Sequence, residues 1–251
     1  MIPKIFHFIF GLKEQKNEFH LVYFLALKSC LEVNKPKKIN FYYKYEPYGP
    51  YWDKIKPYLN LIKIEPPSEI FGIPINHYAH QADIIRLQAL IEEGGVYADI
   101  DTVFINPYPD YLYEKDFVMG KQGNEGLCNA LMMSSPNSYF AQKWLSDHKV
   151  CFKGGEPGSD GWCTHSVYYP LYLSRNIPES IHIENPNSFF YYLYHQESLK
   201  DLFVKNNPIP NNVYSLHLWE NVSWELYLKN LNKKLIKENK TTYNNIIKNL
   251  I

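Results

Sequence analysis

Four ionisable side chains lie close together in the 251-residue sequence and could act on a phosphate-containing substrate: Asp83, Arg86, Asp99 and Asp101. One residue separates Asp99 from Asp101, a common spacing for holding a hard divalent cation such as Mn²⁺ or Mg²⁺. Such a cation neutralises charge that develops on a departing diphosphate. Because solvated surfaces also carry many Asp-x-Asp pairs, the surrounding sequence decides how this pair is interpreted.

Asp83 and Arg86 are three residues apart in a predicted helix, so they share a face and could form a simple salt bridge. The chain has only one other arginine, Arg175, while its remaining basic residues are lysines. A guanidinium binds phosphate or carboxylate through a planar fork that lysine lacks. Beside a metal pair, Asp83 would accept hydrogen bonds from sugar hydroxyls and Arg86 would reach a phosphate or a sugar hydroxyl.

The elements that position these residues are a helix, a glycine break and a strand. Asn76 stands at the expected N-cap and Gly94 at the expected left-handed stop of a helix over about residues 77–93. Its buried face carries apolar residues at helical spacing, namely Ile84, Leu87 and Ile91. The β-prone Val-Tyr-Ala that follows Gly95 predicts a short strand ending at Asp99.

Strands and helices alternate along the rest of the chain, which predicts one α/β domain with a mostly parallel sheet. The elements expected early in the chain are strands over 2–10, 39–45 and 61–65 and a helix over 18–32. Strands over 117–120 and 127–134 and helices over 139–147, 168–175 and 224–235 are expected later. Glycines in 153–161 predict a loop, and the domain is expected to span 1–225, with a Lys/Asn-rich helical extension over 226–251.

Ligands of parallel sheets gather at the carboxyl ends of the strands. Gly11 and the Asp99/Asp101 pair both follow predicted strands, so they could share one crevice. Near the C-terminus, His217 and Trp219 precede Ser223 and Trp224. A lone histidine is more often packed or exposed than ligating, but here a neutral imidazole could complete a metal shell.

Charge and cysteine content exclude several classes of protein. The 26 basic and 26 acidic residues give no net charge, which is unlike a nucleic-acid binder. Four cysteines without Cys-x-x-Cys spacing favour a reducing compartment, so we expect a cytoplasmic protein. We expect neither a signal peptide nor a membrane span, although the basic C-terminal helix could lie at a membrane surface.

Three separated motifs resemble glycosyltransferase family 32 and, more distantly, the glucosyltransferase domain of large clostridial toxins. The opening Ile-Pro-Lys-Ile-Phe-His-Phe-Ile-Phe-Gly is similar to the family's first strand, where Phe10 replaces the usual tryptophan. Ala-Asp-Ile-Ile-Arg-Leu followed by Glu-Gly-Gly-Val-Tyr-Ala-Asp-Ile-Asp-Thr is close to the central signature. His217-Leu-Trp219 with Ser223-Trp224 resembles the closing elements.

The resemblance implies a GT-A fold, a nucleotide-sugar donor, a divalent cation and retention of anomeric configuration. Carried over by position, Asp83 and Arg86 would bind the donor sugar and diphosphate, and Asp99 would contact ribose and sugar beside the metal. Asp101 and His217 would ligate the metal, with Asp99 adjoining them. The remaining donor-binding set would be Phe10 and Gly11 around the base, together with Trp219, Ser223 and Trp224 near the diphosphate.

The donor is expected to be a UDP-hexose, with GDP-mannose as the second choice, and the acceptor a glycan, a lipid-linked molecule or a protein. Two other readings stay open at this stage. Asp99-Ile-Asp101-Thr-Val also fits the nucleophile motif of haloacid-dehalogenase phosphatases, in which the first aspartate attacks phosphate. A degenerate transferase fold could instead serve only as a glycan-binding module.

Overall fold

A seven-stranded sheet forms the centre of the protein, for which the computed structural model describes residues 1–156, 158–159 and 161–251. The strands of this sheet are β1 (Ile5–Ile9), β2 (Lys38–Tyr43), β3 (Asn60–Lys63), β6 (Gly95–Ala98), β8 (Phe117–Gln122), β9 (Gly126–Ser134) and β10 (His182–Glu184). Their order across the sheet is β10-β8-β9-β6-β1-β2-β3. Only β9 runs antiparallel to its neighbours, so the sheet is mostly parallel, as predicted.

Two small two-stranded sheets accompany the central one. Their strands are β4 (Glu69–Ile70) with β5 (Ile73–Pro74), and β7 (Thr102–Phe104) with β11 (Ser215–His217). The helices of the first half are α1 (Leu21–Ser29), α2 (Pro50–Ile55), α3 (Tyr78–Glu93), α4 (Asp110–Tyr113), α5 (Tyr139–Ser146) and α6 (His148–Cys151). Those of the second half are α7 (Tyr169–Asn176), α8 (Pro186–Phe190), α9 (Gln196–Phe203), α10 (Glu220–Ser223), α11 (Lys233–Glu238) and α12 (Thr242–Ile247).

Strand β1 lies in the middle of the sheet and is almost wholly buried, which fits its unbroken apolar run. Its one polar side chain, His7, is also buried, and burial lowers the pKa of this imidazole. The His7 ring is satisfied by the Gly94 carbonyl at 2.7 Å and by the Tyr42 hydroxyl at 3.1 Å. His7 therefore links β1 to the turn that ends α3.

The helix–glycine–strand unit predicted around residues 77–98 is present. Its N-cap is His77 rather than Asn76, because the His77 ring accepts the Ala79 N–H at 3.1 Å. Gly94 ends the helix where predicted, with a positive φ of +66° that favours glycine, but its ψ of −167° is extended and differs from the predicted left-handed turn. Gly95 then enters β6 with φ +108°, and a Cβ there would collide with the Ile5 carbonyl oxygen of β1. This glycine pair lets α3 turn directly into the sheet.

Three predicted helices differ from the observed ones. The first covers 21–29 and continues as a π-helical turn over 30–34, instead of 18–32. The predicted helix over 168–175 is α7 preceded by a π-helical turn at 164–168. The continuous helix over 224–235 is wrong: the chain forms a π-helical turn at 224–228 and restarts as α11. Asn232 explains the restart, because its side chain caps α11 by accepting two backbone N–H groups.

The segment 226–251 packs against the main core. Ile236, Tyr243, Ile247 and Leu250 are buried in the same cluster as the first two strands and α1. The predicted boundary at residue 225 stays a prediction, but the apolar side chains beyond it belong to that shared core. Among the described residues, no helix is long and apolar enough to cross a bilayer.

The predicted loop over 153–161 consists of irregular backbone and turns where it is described, while its positions 157 and 160 lie outside the described residues. It runs from the end of α6 to the π-helical turn at 164–168. Gly155 lies within this segment with φ +107°, and its carbonyl is 3.0 Å from His80 Nε2 on α3.

Candidate active site

Asp99 and Asp101 lie in the turn between β6 and β7, at the edge where the parallel strands β1 and β6 both end. The turn is closed by a hydrogen bond from the Thr102 N–H to the Asp99 carbonyl at 3.0 Å. Strand β11 pairs antiparallel with β7 and sets His217 opposite Thr102. This strand pairing brings His217, which is far from Thr102 in the sequence, to the acidic turn.

The three side chains form a compact group whose possible ligand atoms all lie within 4.8 Å of one another. His217 Nε2 is 3.1 Å from Asp101 Oδ1 and 3.7 Å from Asp99 Oδ2. The other two carboxylate oxygens face the protein: Asp99 Oδ1 accepts from the Tyr97 hydroxyl at 2.6 Å, and Asp101 Oδ2 accepts from the Glu220 N–H at 2.8 Å. One oxygen of each carboxylate and one ring nitrogen therefore face a common point.

The acidity of the pair reflects burial and charge. Burial raises the pKa of Asp99, and the negative charge of Asp101 adds to that effect, although Arg86 opposes both. Burial would also raise the pKa of Asp101, but the charge and hydrogen bond of His217 lower it below its ordinary value. Two carboxylates held this close in a buried turn favour binding of a cation, since a cation removes their mutual repulsion.

Arg86 is fixed before any ligand arrives. Its guanidinium lies over the Tyr97 ring at 4.4 Å, donates to the Asn129 carbonyl at 2.9 Å and is 3.3 Å from Asp99 Oδ1. Its side chain is only 7% exposed. Burial alone would lower the pKa of Arg86, but the surrounding acidic groups raise it, so this arginine keeps its charge. The site therefore contains a rigid cation beside the acidic turn.

Asp83 lies one turn before Arg86 on α3 and is held by four neighbours. Its Oδ1 accepts from Asn129 Nδ2 at 2.7 Å and lies 3.4 Å from Arg86. Its Oδ2 accepts from His165 Nε2 at 2.9 Å and lies 3.4 Å from His80 Nδ1. Although burial opposes ionisation, Arg86 and the two histidines hold the pKa of Asp83 well below its usual range.

Phe10 and Gly11 lie at the carboxyl end of β1, on the same sheet edge as Asp99. The Phe10 ring packs on Tyr23 with centroids 4.8 Å apart, and the Gly11 carbonyl accepts the Tyr45 N–H at 2.8 Å. Trp224 also packs on Tyr23: the two rings are stacked, with centroids 5.9 Å apart and an interplanar angle of 6°. Phe10 and Trp224, distant in sequence, thus meet through Tyr23.

The closing segment, residues 217–224, contains one residue in an unusual backbone conformation. Trp219 has φ +55°, a left-handed backbone seldom adopted by a residue with a side chain, and its indole N–H donates to the Tyr192 carbonyl at 2.8 Å. Its ring centre lies 4.3 Å from that of His217. Ser223 is fully buried and donates to the Leu218 carbonyl at 2.7 Å, so its hydroxyl fixes this turn. Direct donor contacts by Trp219 and Ser223 stay predictions.

Sequence reasoning missed several residues that complete the site. Glu220 supplies the N–H to Asp101 and accepts from the Tyr23 hydroxyl at 2.7 Å. Burial and the nearby charge of Asp101 raise the pKa of Glu220 to about 7. Asn129 and the histidines around Asp83 were missed because their contacts join positions far apart in the chain, and no local spacing signals them. Glu220 alone had a signal, its place directly after Trp219 in the closing motif.

Comparison with known proteins identifies the family of the chain. The family described as the glycosyltransferase sugar-binding region containing the DXD motif matches residues 14–118. Glucan organizing enzyme 1 of Cryptococcus neoformans var. grubii is 35% identical over 268 aligned residues, covering 100% of this chain and 71% of that protein. The chain belongs to the DXD-containing glycosyltransferases. It is therefore a transferase, and the phosphatase and glycan-binding alternatives are set aside.

Two solved structures share the fold at low sequence identity. The glycosyltransferase GlyE of Streptococcus pneumoniae TIGR4, in its apo form, superposes with a TM-score of 0.52 and 15% identity, covering 90% of this chain and 57% of that one. Mouse xyloside xylosyltransferase 1, also in its apo form, gives a TM-score of 0.52 and 12% identity, covering 86% of this chain and 98% of that one. The mostly parallel sheet with flanking helices is thus a GT-A fold.

Proposed function

We propose that the protein is a metal-dependent retaining hexosyltransferase that uses a nucleotide-sugar donor. One observation carries this proposal: Asp99 Oδ2, Asp101 Oδ1 and His217 Nε2 face one point, while the other carboxylate oxygens bond to the protein. Two carboxylate oxygens and an imidazole suit Mn²⁺, and Mg²⁺ is the second choice. A divalent ion held there would supply positive charge to the departing diphosphate.

The protein's own residues would bind and orient the donor around that point. Arg86 offers a permanent charge already aligned by Tyr97 and Asn129, so its reorganisation on binding is small. Asp99 is 29% exposed at its side chain, against 6% for Asp101, so Asp99 is the carboxylate that a ribose or sugar hydroxyl can reach. The aromatic group of Phe10, Tyr23 and Trp224 borders the same sheet edge and would line the pocket for base and diphosphate.

Retention of the anomeric configuration can arise in two ways. Either a double displacement inverts the anomeric carbon twice, or the diphosphate leaves from and the acceptor attacks the same face of the sugar. A double displacement requires a carboxylate free to attack the sugar carbon. Asp83 is held by four protein groups, and Glu220 accepts from Tyr23, so neither is free as it stands. We therefore favour same-face attack: the glycosidic C–O bond breaks, the acceptor hydroxyl forms the new bond, and its proton passes to the leaving phosphate.

For the donor we favour UDP-hexose, with GDP-mannose next, and for the acceptor a glycan, a lipid-linked molecule or a protein. The word "glucan" in the name of the cryptococcal relative is a reason to test UDP-glucose first. We also propose that the protein acts in the cytoplasm, with peripheral membrane contact possible through its C-terminal helices. The four cysteines, which are all free thiols, support a reducing compartment.

The test combines binding with turnover. Thermal-shift screening of UDP- and GDP-sugars with Mn²⁺ should identify the stabilising donor, and donor hydrolysis should then require the metal. Asp101→Asn should abolish both hydrolysis and transfer. Asp110→Asn is the control, since the Asp110 side chain is 90% exposed and lies outside the site. Undiminished turnover by Asp101→Asn, or by chelator-treated wild type, would refute the metal assignment.

A further inference from the structure

The cage around Asp83 contains two short contacts and two long ones. Asn129 and His165 donate to its two oxygens at 2.7 and 2.9 Å, so they fix the plane of the carboxylate. Arg86 and His80 lie at 3.4 Å from the same oxygens. The Arg86 contact is an ion pair and the His80 contact a long hydrogen bond, so each oxygen retains capacity to accept from a sugar hydroxyl. The carboxylate is oriented without being saturated.

The protonation of His165 follows from its surroundings. Its Nε2 lies against a carboxylate oxygen that only accepts, so Nε2 carries the proton. Its Nδ1 is buried without a hydrogen-bond partner among the described residues. His165 therefore donates to Asp83 through Nε2.

His80 is in a different position, because both of its ring nitrogens face acceptors. Nε2 lies 3.0 Å from the Gly155 carbonyl, and Nδ1 lies 3.4 Å from Asp83 Oδ2. Neither oxygen can donate, so both contacts are satisfied only when the ring carries two protons. A charged His80 then bridges the carboxylate of α3 and the glycine-rich segment after α6.

The same segment packs around His80 through its aromatic rings. The Trp162 ring centre is 4.6 Å from that of His80, and the Phe152 ring centre is 5.6 Å away. His165 lies a few residues after Trp162 and reaches Asp83 itself. The described residues of the segment 152–165 therefore contact Asp83 at one point directly and at a second point through His80.

We propose that His80 and His165 are positioning residues that orient Asp83 toward the donor sugar, and that charged His80 couples the segment 152–165 to this carboxylate. The inference rests on the proposed function, in which Asp83 accepts from sugar hydroxyls. Neither histidine needs to touch the donor. Their effect should fall on recognition of the sugar and leave the nucleoside diphosphate unaffected, because the diphosphate is expected at Arg86 and the metal.

The charged and titratable groups that face His80 set the direction of the pH effect. They are Asp83 on its own helix, His77 at the helix start, Glu156 in the loop and His165 behind it. Burial would lower the pKa of His80, but the hydrogen bond and charge of Asp83 raise it above 6.5. The bridge is therefore complete below about pH 6.5 and is lost as pH rises through the elevated pKa.

The experiment compares the affinity for UDP-glucose and for UDP, each with Mn²⁺, by calorimetry; GDP-mannose and GDP replace them if the screen selects that donor. His165→Leu should weaken UDP-glucose binding by about 10- to 100-fold, the usual cost of losing a hydrogen bond to a charged group. UDP binding should change less than about 3-fold. His165→Gln, whose amide nitrogen stands near the position of Nε2, should restore most of the affinity.

Two conservative variants separate the ends of the His80 bridge. His80→Asn keeps a donor near Nδ1 for Asp83, whereas His80→Gln keeps one near Nε2 for Gly155. In wild type, the selectivity for UDP-glucose over UDP should fall between pH 6 and 8.5. In His80→Asn, this selectivity should not change with pH. Nitrogen-15 spectra of the imidazoles in the ligand-free protein should show a doubly protonated His80 and a His165 protonated at Nε2, whether or not any variant folds poorly.

Several results would overturn the inference. Wild-type selectivity for UDP-glucose in His165→Leu and a wild-type pH dependence of that selectivity in His80→Asn, together with metal-dependent UDP binding, would refute the positioning role and leave the proposed function intact. A neutral His80 at pH 6, or one zinc ion per chain retained by His217→Ala, would show that no proton bridges this cluster. Absence of metal-dependent UDP or GDP binding in wild type would refute the proposed function and the inference together.

Discussion

At the scale of single residues, each carboxylate of the acidic turn bonds to the protein through one oxygen and directs the other toward His217. Tyr97 and the Glu220 N–H hold the inner oxygens of Asp99 and Asp101, so the outer ones face His217 with little freedom. Such fixation reduces the reorganisation needed when a cation binds. The spacing of the two aspartates predicted the pair, but only the folded chain shows which oxygens stay available.

His217 is expected to contribute directly to cation affinity. His217→Ala should lower the affinity for Mn²⁺ by at least about 10-fold, because even loss of an outer-shell partner commonly costs a metal site that much. Calorimetric titration with MnCl₂ in the absence of nucleotide measures the change. His195→Ala, which removes an exposed histidine outside the group, is the matched control. Equal Mn²⁺ affinity in wild type and His217→Ala would exclude His217 as a ligand.

Glu220 should make the metal-free protein sensitive to pH. Since the pKa of Glu220 is raised from 4.5 to about 7, its stabilising contribution is complete below pH 4.5 and is lost as pH rises to 7. Glu220→Gln keeps an acceptor for Tyr23 but cannot ionise. In chelator, the Tm of wild type should therefore fall relative to this variant between pH 4.5 and 8.

Added Mn²⁺ provides the control for that comparison. A cation beside Asp101 offsets the negative charge that contributes to the raised pKa of Glu220, so the difference between the two proteins should shrink. Parallel curves of Tm against pH for wild type and Glu220→Gln in chelator would show that Glu220 titrates normally.

At the scale of elements, the sequence predicted the helix and strand around the Gly-Gly break correctly, but it did not predict the contacts between distant segments. The helix, the Gly-Gly break and the strand before Asp99 follow from spacing within 25 residues, and all three are present. The helix over 224–235 was wrong because its apolar spacing continues across the Asn232 cap, where the chain restarts. The contact of His217 with Asp101 needs the pairing of β11 with β7, which no local spacing predicts.

The Gly-Gly break should be essential for the sheet. Gly95→Ala should destabilise the fold by well over the ~1–2 kcal/mol that a left-handed residue costs, because the new Cβ would also meet the β1 carbonyl oxygen. Gly72→Ala isolates the first effect, since Gly72 has φ +77° and open space around its Cβ position. Urea unfolding measures both. A similar loss for the two variants would mean that β1 can move aside.

At the scale of the whole molecule, the site draws on segments from both ends of the chain. Phe10 and Gly11 come from the first strand, Asp83 to Asp101 from the centre, and His217 to Trp224 from the closing segment. The closing segment is followed by α11 and α12, whose buried side chains belong to the same core as those of α1. Lys28 of α1 also donates to the Leu250 carbonyl at 2.8 Å. The C-terminal residues therefore support the wall of the site.

This packing predicts how the protein responds to changes in α12. Tyr243 is 1% exposed and its ring lies 5.3 Å from Phe203, so Tyr243→Ala should cost about 3–5 kcal/mol, as for other large buried aromatics. Its hydroxyl is buried without a hydrogen-bond partner in the described part of the chain, so Tyr243→Phe should be neutral or slightly stabilising. The two substitutions thus separate ring packing from the hydroxyl.

Removal of residues 240–251 extends the same test. Deleting α12 removes the Tyr243 ring from Phe203 of α9, and the Thr242 hydroxyl no longer accepts the Asn207 N–H at 2.8 Å. If the segment belongs to the main core, the truncated protein should unfold at lower urea in one transition, with nucleotide binding lost in step. An independent extension would instead leave the main transition and Mn²⁺-dependent nucleotide binding unchanged, because no core contact would depend on it. Unfolding followed by tryptophan fluorescence, with Tyr243→Phe as the full-length control, decides between these results.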